Sequence, residues 1–167
     1  MRSVGIMRSL AQFQWLRRLL IGTKRTYLTK FWGMDIHSTA EFSLSARFDT
    51  TYPTGIHIGA GTYVAFDAVI FSHDGARGLY ADTWIGRRCF IGARSIVLPG
   101  VRIGDKCVVG AVTKDAPARS VVAGNPAQII ENDIELDELG IIRVKNYADQ
   151  GDKSISRRRS ASRAPVR

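Results

Sequence analysis

From Ile85 to Val109 an aliphatic residue returns at every sixth position, and glycine follows it in four of five cases: Ile85-Gly86, Ile91-Gly92, Val97-Leu98, Ile103-Gly104, Val109-Gly110. Neither the 3.6-residue period of an amphipathic helix nor the alternation of a half-buried strand gives that spacing. A fixed period of six reads as a β-solenoid, in which each hexad is one short strand and one tight turn. The aliphatic side chain points inward, and the glycine or a polar residue turns the corner. Three hexads make a triangular coil of eighteen residues, and neighbouring coils stack at strand spacing, about 4.8 Å. Cys89 and Cys107 are eighteen positions apart, so they are expected directly above one another as small inward residues. They read as packing thiols rather than redox or metal groups. Two cysteines with no secretory signal suit a reducing, cytoplasmic compartment.

Upstream the sixes return less cleanly. Ile58-Gly59 and Val64 lead in phase to Ile70, and Ala40, Ala46 and Tyr52 keep the same phase with poorer fillers. Between Ile70 and Ile85 the spacing is fifteen rather than twelve. The break holds Phe71-Ser72-His73-Asp74-Gly75-Ala76-Arg77-Gly78-Leu79-Tyr80. A loop over 71–83 that leaves a regular solenoid is a place to look for function.

The ends differ from the middle. Residues 1–32 carry seven Lys/Arg and no acid, and residues 153–167 carry six Lys/Arg and no acid. All fifteen Asp/Glu lie in 33–152, where the net charge is −4, although the whole chain is +9. The positive charge therefore does not mark a folded basic face, and a nucleic-acid partner is not indicated. Ile6, Leu10, Phe13, Leu16 and Leu20 fall at helical spacing among Arg8, Arg17, Arg18, Lys24 and Arg25. This predicts a basic amphipathic helix over 6–32. Arginines interrupt every apolar run, so it is neither a secretory signal nor a membrane span. Two roles are open: a cap on the solenoid's exposed end, or a helix lying on an anionic membrane surface, peripheral at its inner face. The expected organisation is a basic helical segment 1–33, a β-helix domain 34–127, a C-terminal helical cap 128–152, and a disordered basic tail 153–167. Ile129, Ile130, Ile134, Leu136 and Leu139 suggest the cap's short helix.

Of three histidines, His37 and His57 sit at coil positions with no acid or second ligand near in sequence. Both read as bystanders. His73 opens the irregular loop between Ser72 and Asp74, where an imidazole can take a proton from an attacking hydroxyl or amine. A zinc site of three converging histidines does not fit positions 37, 57 and 73. No metal is expected.

At Thr83-Trp84-Ile85-Gly86, Leu98-Pro99-Gly100-Val101-Arg102-Ile103-Gly104-Asp105 and Val121-Val122-Ala123-Gly124-Asn125-Pro126-Ala127 the chain resembles the left-handed β-helix hexapeptide-repeat acyltransferases. The resemblance runs from about Asp35 to Ile130 and is nearest the sugar and exopolysaccharide O-acetyltransferase branch, which includes galactoside and maltose acetyltransferases. It implies the left hand, which a six-residue period does not itself show. It also implies acetyl-CoA as acyl donor, a homotrimer with clefts between neighbouring solenoids, and a saccharide or lipid-linked saccharide acceptor. His73 matches the family's base, and Asp74 would orient the acceptor or the loop. Trp84 matches a tryptophan beside the cleft, with core packing as the alternative. Ala93, Gly110 and Ala111 match the backbone lining of the donor tunnel, and Thr113 and Lys114 its nucleotide end. The chain departs from the family where Gly110-Ala111 runs straight into Val112-Thr113-Lys114-Asp115. Three residues usual there are missing. Gln128 and Glu131 also stand where basic residues are common. These departures leave a second reading, a non-catalytic trimer with an impaired donor site.

Overall fold

The computed structural model describes residues 14–110, 114–124 and 127–135. Within them the chain winds into parallel coils with three sides. The first side stacks β1 (Asp35–Ile36), β4 (Ile56–Ile58), β9 (Thr83–Ile85) and β12 (Arg102–Ile103). The second stacks β2 (Glu41–Phe42), β5 (Tyr63–Val64), β10 (Phe90–Ile91), β13 (Val108–Val109) and β14 (Ser120–Ala123). The third stacks β3 (Arg47–Phe48), β6 (Val69–Ile70) and β11 (Ile96–Val97). The short hairpin of β7 (His73–Asp74) and β8 (Leu79–Tyr80) leaves the coil between β6 and β9.

Register puts like on like. Ile36, Ile58, Ile85 and Ile103 form one inward column, Phe42, Val64, Ile91, Val109 and Val122 a second, and Phe48, Ile70 and Val97 a third. Small residues fill the corners. Thr62, Cys89, Cys107 and Ser120 are all fully buried at one corner, and both cysteines are free. Thr62 donates to Gly86 O at 2.7 Å and Cys89 Sγ to Gly104 O at 3.1 Å. The corner carbonyls are thus satisfied without water. The thiols are packing groups, as the eighteen-residue spacing required.

The first coil corrects the sequence phase. Phe42 and Phe48 fill its core, while Ala40 and Ala46 sit at its corners. Volume decided this, because a column of alanines would leave a void where the two rings pack edge to face at 5.3 Å. The phase slips through a turn at Pro53–Gly55 before Ile56.

The last coil is short. Phe90 pairs with Val108 eighteen residues on, but Val108 pairs with Val121 only thirteen residues on. The next pairing after β13 among the described residues is on the first side, where Ala116 bridges Ile103, and the chain then reaches the second side at β14. The third side ends at β11 among the described residues. Ala116, Ser120 and Val122 are buried, so the short last coil does not throw later side chains outward.

Where a C-terminal helix was expected, residues Gln128–Asn132 form β15, an exposed strand antiparallel to β14. The open edge of β14 offers unpaired backbone groups, and this outweighs a weak helical spacing. The rest of the expected cap and the basic tail, residues 136–167, lie outside the described residues.

At the other end, α1 (Gln14–Thr26) and a widened turn at Tyr27–Phe31 lie across the first coil. Lys24 Nζ donates to Leu44 O and Ala46 O at 2.8 and 2.7 Å, and Arg25 to Ser38 O and Ala40 O, both at 2.6 Å. Ile21 and Leu28 are its buried apolar residues. The helix is therefore a cap, as one expected role had it, but Leu16 and Leu20 face outward. Residues 6–13 of the expected helix lie outside the described residues.

Candidate active site

The hairpin at the corner between the third and first sides presents His73. Its base is closed by Ala81 N donating to Ser72 O at 2.9 Å, and Thr83 Oγ1 donates to Phe71 O at 2.6 Å. Asp74 organises the turn. Its Oδ1 accepts from Ala76 N and Arg77 N at 3.0 and 3.3 Å, and Oδ2 pairs with Arg77 Nε at 3.3 Å. Asp74 therefore supports the loop and does not hold the imidazole.

Asp49 holds it, a residue that sequence spacing did not single out. Phe48 stacks under Ile70, so Asp49 begins the corner directly beneath the hairpin. Its Oδ2 accepts from Ser72 N at 3.1 Å, His73 N at 2.9 Å and His73 Nδ1, while Oδ1 accepts from Thr51 N at 2.8 Å. The carboxylate is 3% exposed and the imidazole 26% exposed. Burial alone would raise the Asp49 pKa, but the imidazole and the three backbone donors outweigh it and hold it down at about 2. Asp49 stays ionised and fixes the proton on Nδ1. Nε2 then carries the free lone pair, and among the described residues it has no partner. This is the arrangement a general base needs.

A rim of aromatic and acidic groups continues from His73. Tyr80 lies 6.3 Å from the imidazole, centroid to centroid, and meets Tyr52 edge-on at 5.9 Å. Tyr52 Oη donates to Asp82 Oδ1 at 3.1 Å. Asp82 Oδ2 lies 3.9 Å from His57 Nε2, and Asp35 Oδ2 lies 3.1 Å from His57 Nδ1. His57 is thus no isolated bystander. The coil stacks acids beside it that lie 22 and 25 positions away in the chain. Its ring lies flat on Trp84 at 3.6 Å, and the Arg102 guanidinium sits 5.7 Å from the same indole. Trp84 is exposed on the first side, outside the core.

The expected donor-binding residues occupy a different corner. Ala93 is exposed on the turn between β10 and β11, and Gly110 lies one coil above Gly92. A Cβ at Gly92 would come within 2.7 Å of Val109 O, and one at Gly110 within 2.9 Å of Ala123 Cβ. Coils therefore stack closely here, leaving a corner of bare backbone and small side chains. Lys114 is exposed beyond it, while Ala111 and Thr113 lie outside the described residues. Within one chain this corner and His73 stand at opposite ends of the third side, and they are not brought together. Among the described residues no group of three or more His, Cys, Asp or Glu could hold a metal.

Residues 83–111 match a family model described as the hexapeptide repeat of succinyl-transferase. The chain is 34% identical over 134 residues to a Bacillus subtilis (strain 168) protein named "Putative acetyltransferase YvoF", covering 77% of this chain and 76% of that one. Its fold is similar to that of a maltose O-acetyltransferase from Clostridium difficile 630, with a TM-score of 0.53 and 23% identity over 73% of this chain and 84% of the other. It is also similar to a hexapeptide-repeat acetyltransferase of Vibrio cholerae O1 biovar eltor complexed with acetyl-CoA, with a TM-score of 0.50 and 18% identity over 80% and 91% of the two chains. These likenesses imply a left-handed β-helix. The chain belongs to the hexapeptide-repeat acetyltransferase family.

Proposed function

We propose that this protein transfers an acetyl group from acetyl-CoA to a saccharide hydroxyl, with His73 as general base. The observation that carries the reading is the buried, ionised Asp49 holding His73 Nδ1 while Nε2 stays open. In the reaction the acceptor O–H gives its proton to Nε2 as its oxygen bonds to the thioester carbonyl carbon. The C–S bond then breaks, and the imidazolium returns the proton to the leaving thiolate. Asp49 stabilises the imidazolium throughout. A saccharide acceptor is supported by the rim of Tyr52, Tyr80 and Trp84 beside Asp82, since aromatic faces take the apolar side of a sugar ring and carboxylates its hydroxyls. Donor binding at Ala93 and Gly110 is supported by a corner low enough for an extended pantetheine arm, with Lys114 beyond as a cation for the nucleotide phosphates. The homotrimer that the family resemblance implies is supported by the separation of that corner from His73 within one chain, since a cleft between two copies would combine them.

The thirteen-residue last coil favours a second reading, a non-catalytic trimer, because it shortens the solenoid beside the donor corner. Calorimetry with acetyl-CoA, run with a measurement of oligomer mass, separates the two. Saturable binding at one site per protomer of a trimer is expected. A folded trimer that binds no acetyl-CoA would establish the non-catalytic reading. With an acceptor in hand, His73→Ala should lower kcat by about 10²–10⁴-fold with the trimer intact. Unchanged turnover would remove His73 from the mechanism.

A further inference from the structure

The helix that caps the solenoid is amphipathic in an inverted sense. Its inward face holds two cations, Lys24 and Arg25, bonded to four main-chain carbonyls of the first coil. Its outward face is apolar: Trp15 is 67% exposed, Leu19 59%, Leu20 44%, Tyr27 51% and Phe31 71%, with Leu16 beside them. Tyr27 and Phe31 stack at 5.2 Å, and Phe31 meets Trp32 edge-on at 5.3 Å. The aromatic end of this face is thus braced by its own contacts. Scattered exposed apolar residues need no explanation, but four on α1 and two on the turn after it form a patch that does.

The charges around the patch identify what it meets. Arg17, Arg18 and Lys30 belong to the same segment, and none has an ion-pair partner among the described residues. No acid occurs anywhere in residues 1–32. A second copy of this chain offers few free acids: the eight described aspartates are all engaged, Asp35, Asp49 and Asp82 by histidines, Asp67, Asp74, Asp105 and Asp133 by arginines, and Asp115 by Arg102 N, which leaves Glu41, Glu131 and Glu135 as the described acids without an ion pair. An apolar and aromatic helix face flanked by cations alone, fixed flat across the end of a rigid solenoid, is the form taken by helices that lie in the interface of an anionic bilayer. Among the described residues no helix is long and apolar enough to cross a membrane.

We propose that the outer face of α1 and the turn after it, from Trp15 to Phe31, docks the protein on an anionic lipid surface. This docking does not depend on acetyl transfer. The full chain is to be floated with vesicles of phosphatidylcholine alone and with vesicles containing about a third phosphatidylglycerol, at low and at high salt. Binding to the anionic vesicles only, weakened by salt, is expected. The double variant Leu19→Asp/Phe31→Asp should lose roughly tenfold or more of that binding. Its β-type circular dichroism and oligomer mass should be unchanged, because both side chains point away from the solenoid. Failure of the full chain to float with either vesicle overturns the proposal. So does a double variant that floats as well as the parent, or one whose oligomer falls apart, which would show a second copy covering the face.

Discussion

Three N–H groups converge on one oxygen of Asp49, two from the backbone at Ser72 and His73 and one from the imidazole, while Thr51 N occupies the other oxygen. A carboxylate with so little water is stable only because these donors replace hydration. The pKa of about 2 against an ordinary 3.8 makes the same interaction a stability term. A depressed folded-state pKa stabilises above the unfolded value, and that stabilisation is lost as pH falls from about 4 towards 2. The shift corresponds to about 2 kcal/mol. Asp49→Asn should therefore unfold at lower urea at pH 7, by about that amount, and the gap to the parent should narrow at pH 3. A gap that does not change with pH would mean the loss is one of shape, not charge. The same variant should lower kcat, because a neutral amide at this position neither fixes the Nδ1 proton nor stabilises the imidazolium.

Element by element, what was legible in the chain followed the strength of the period. The hexads from Ile85 to Val109 determined three sides, the stacking of Cys89 on Cys107, and the corner glycines. His73 was legible because it stood where the period broke. Asp49 was not, because Ala40 and Ala46 suggest the wrong phase for the first coil. Once Phe42 and Phe48 fill the core, Asp49 falls beneath the hairpin. Local spacing also misplaced the ends. Leu16 and Leu20 have the spacing of an inner helical stripe, yet that place is held by Lys24, 5.6 Å from the centres of both the Phe42 and Phe48 rings. Burial pushes the Lys24 amine below its ordinary pKa, so it is a cation kept against desolvation for the two carbonyls it caps. Lys24→Met preserves the stem over the rings but removes both hydrogen bonds. It should lower stability by about 1–3 kcal/mol, read as a shift in the urea midpoint with an unchanged slope. No shift would mean that water serves those carbonyls equally well.

For the whole molecule, the short last coil, with no third-side strand after β11 among the described residues, decides whether the solenoid and the proposed donor corner are independent. The chain covers the distance from Val109 to Ala116 with six intervening residues, and Ala116 reaches Ile103 in register. Inward columns resume at Ser120 and Val122. The shortened coil is thus a complete solution for the core, and its consequences fall on the surface beside Gly110 and Lys114. Inserting Gly-Ser-Val between Ala111 and Val112 supplies the three residues that the resemblance to the family leads one to expect there, and leaves the inward residues Val109 and Ala116 in place. Lengthening that link costs only about 0.4 kcal/mol in closure entropy, so thermal stability and oligomer mass should hardly change. If the donor corner already works, affinity for acetyl-CoA stays within about threefold, a difference of under 1 kcal/mol. A gain of tenfold or more would show that the short turn had closed the corner to the donor. The core would then have kept its packing at the expense of the chemistry.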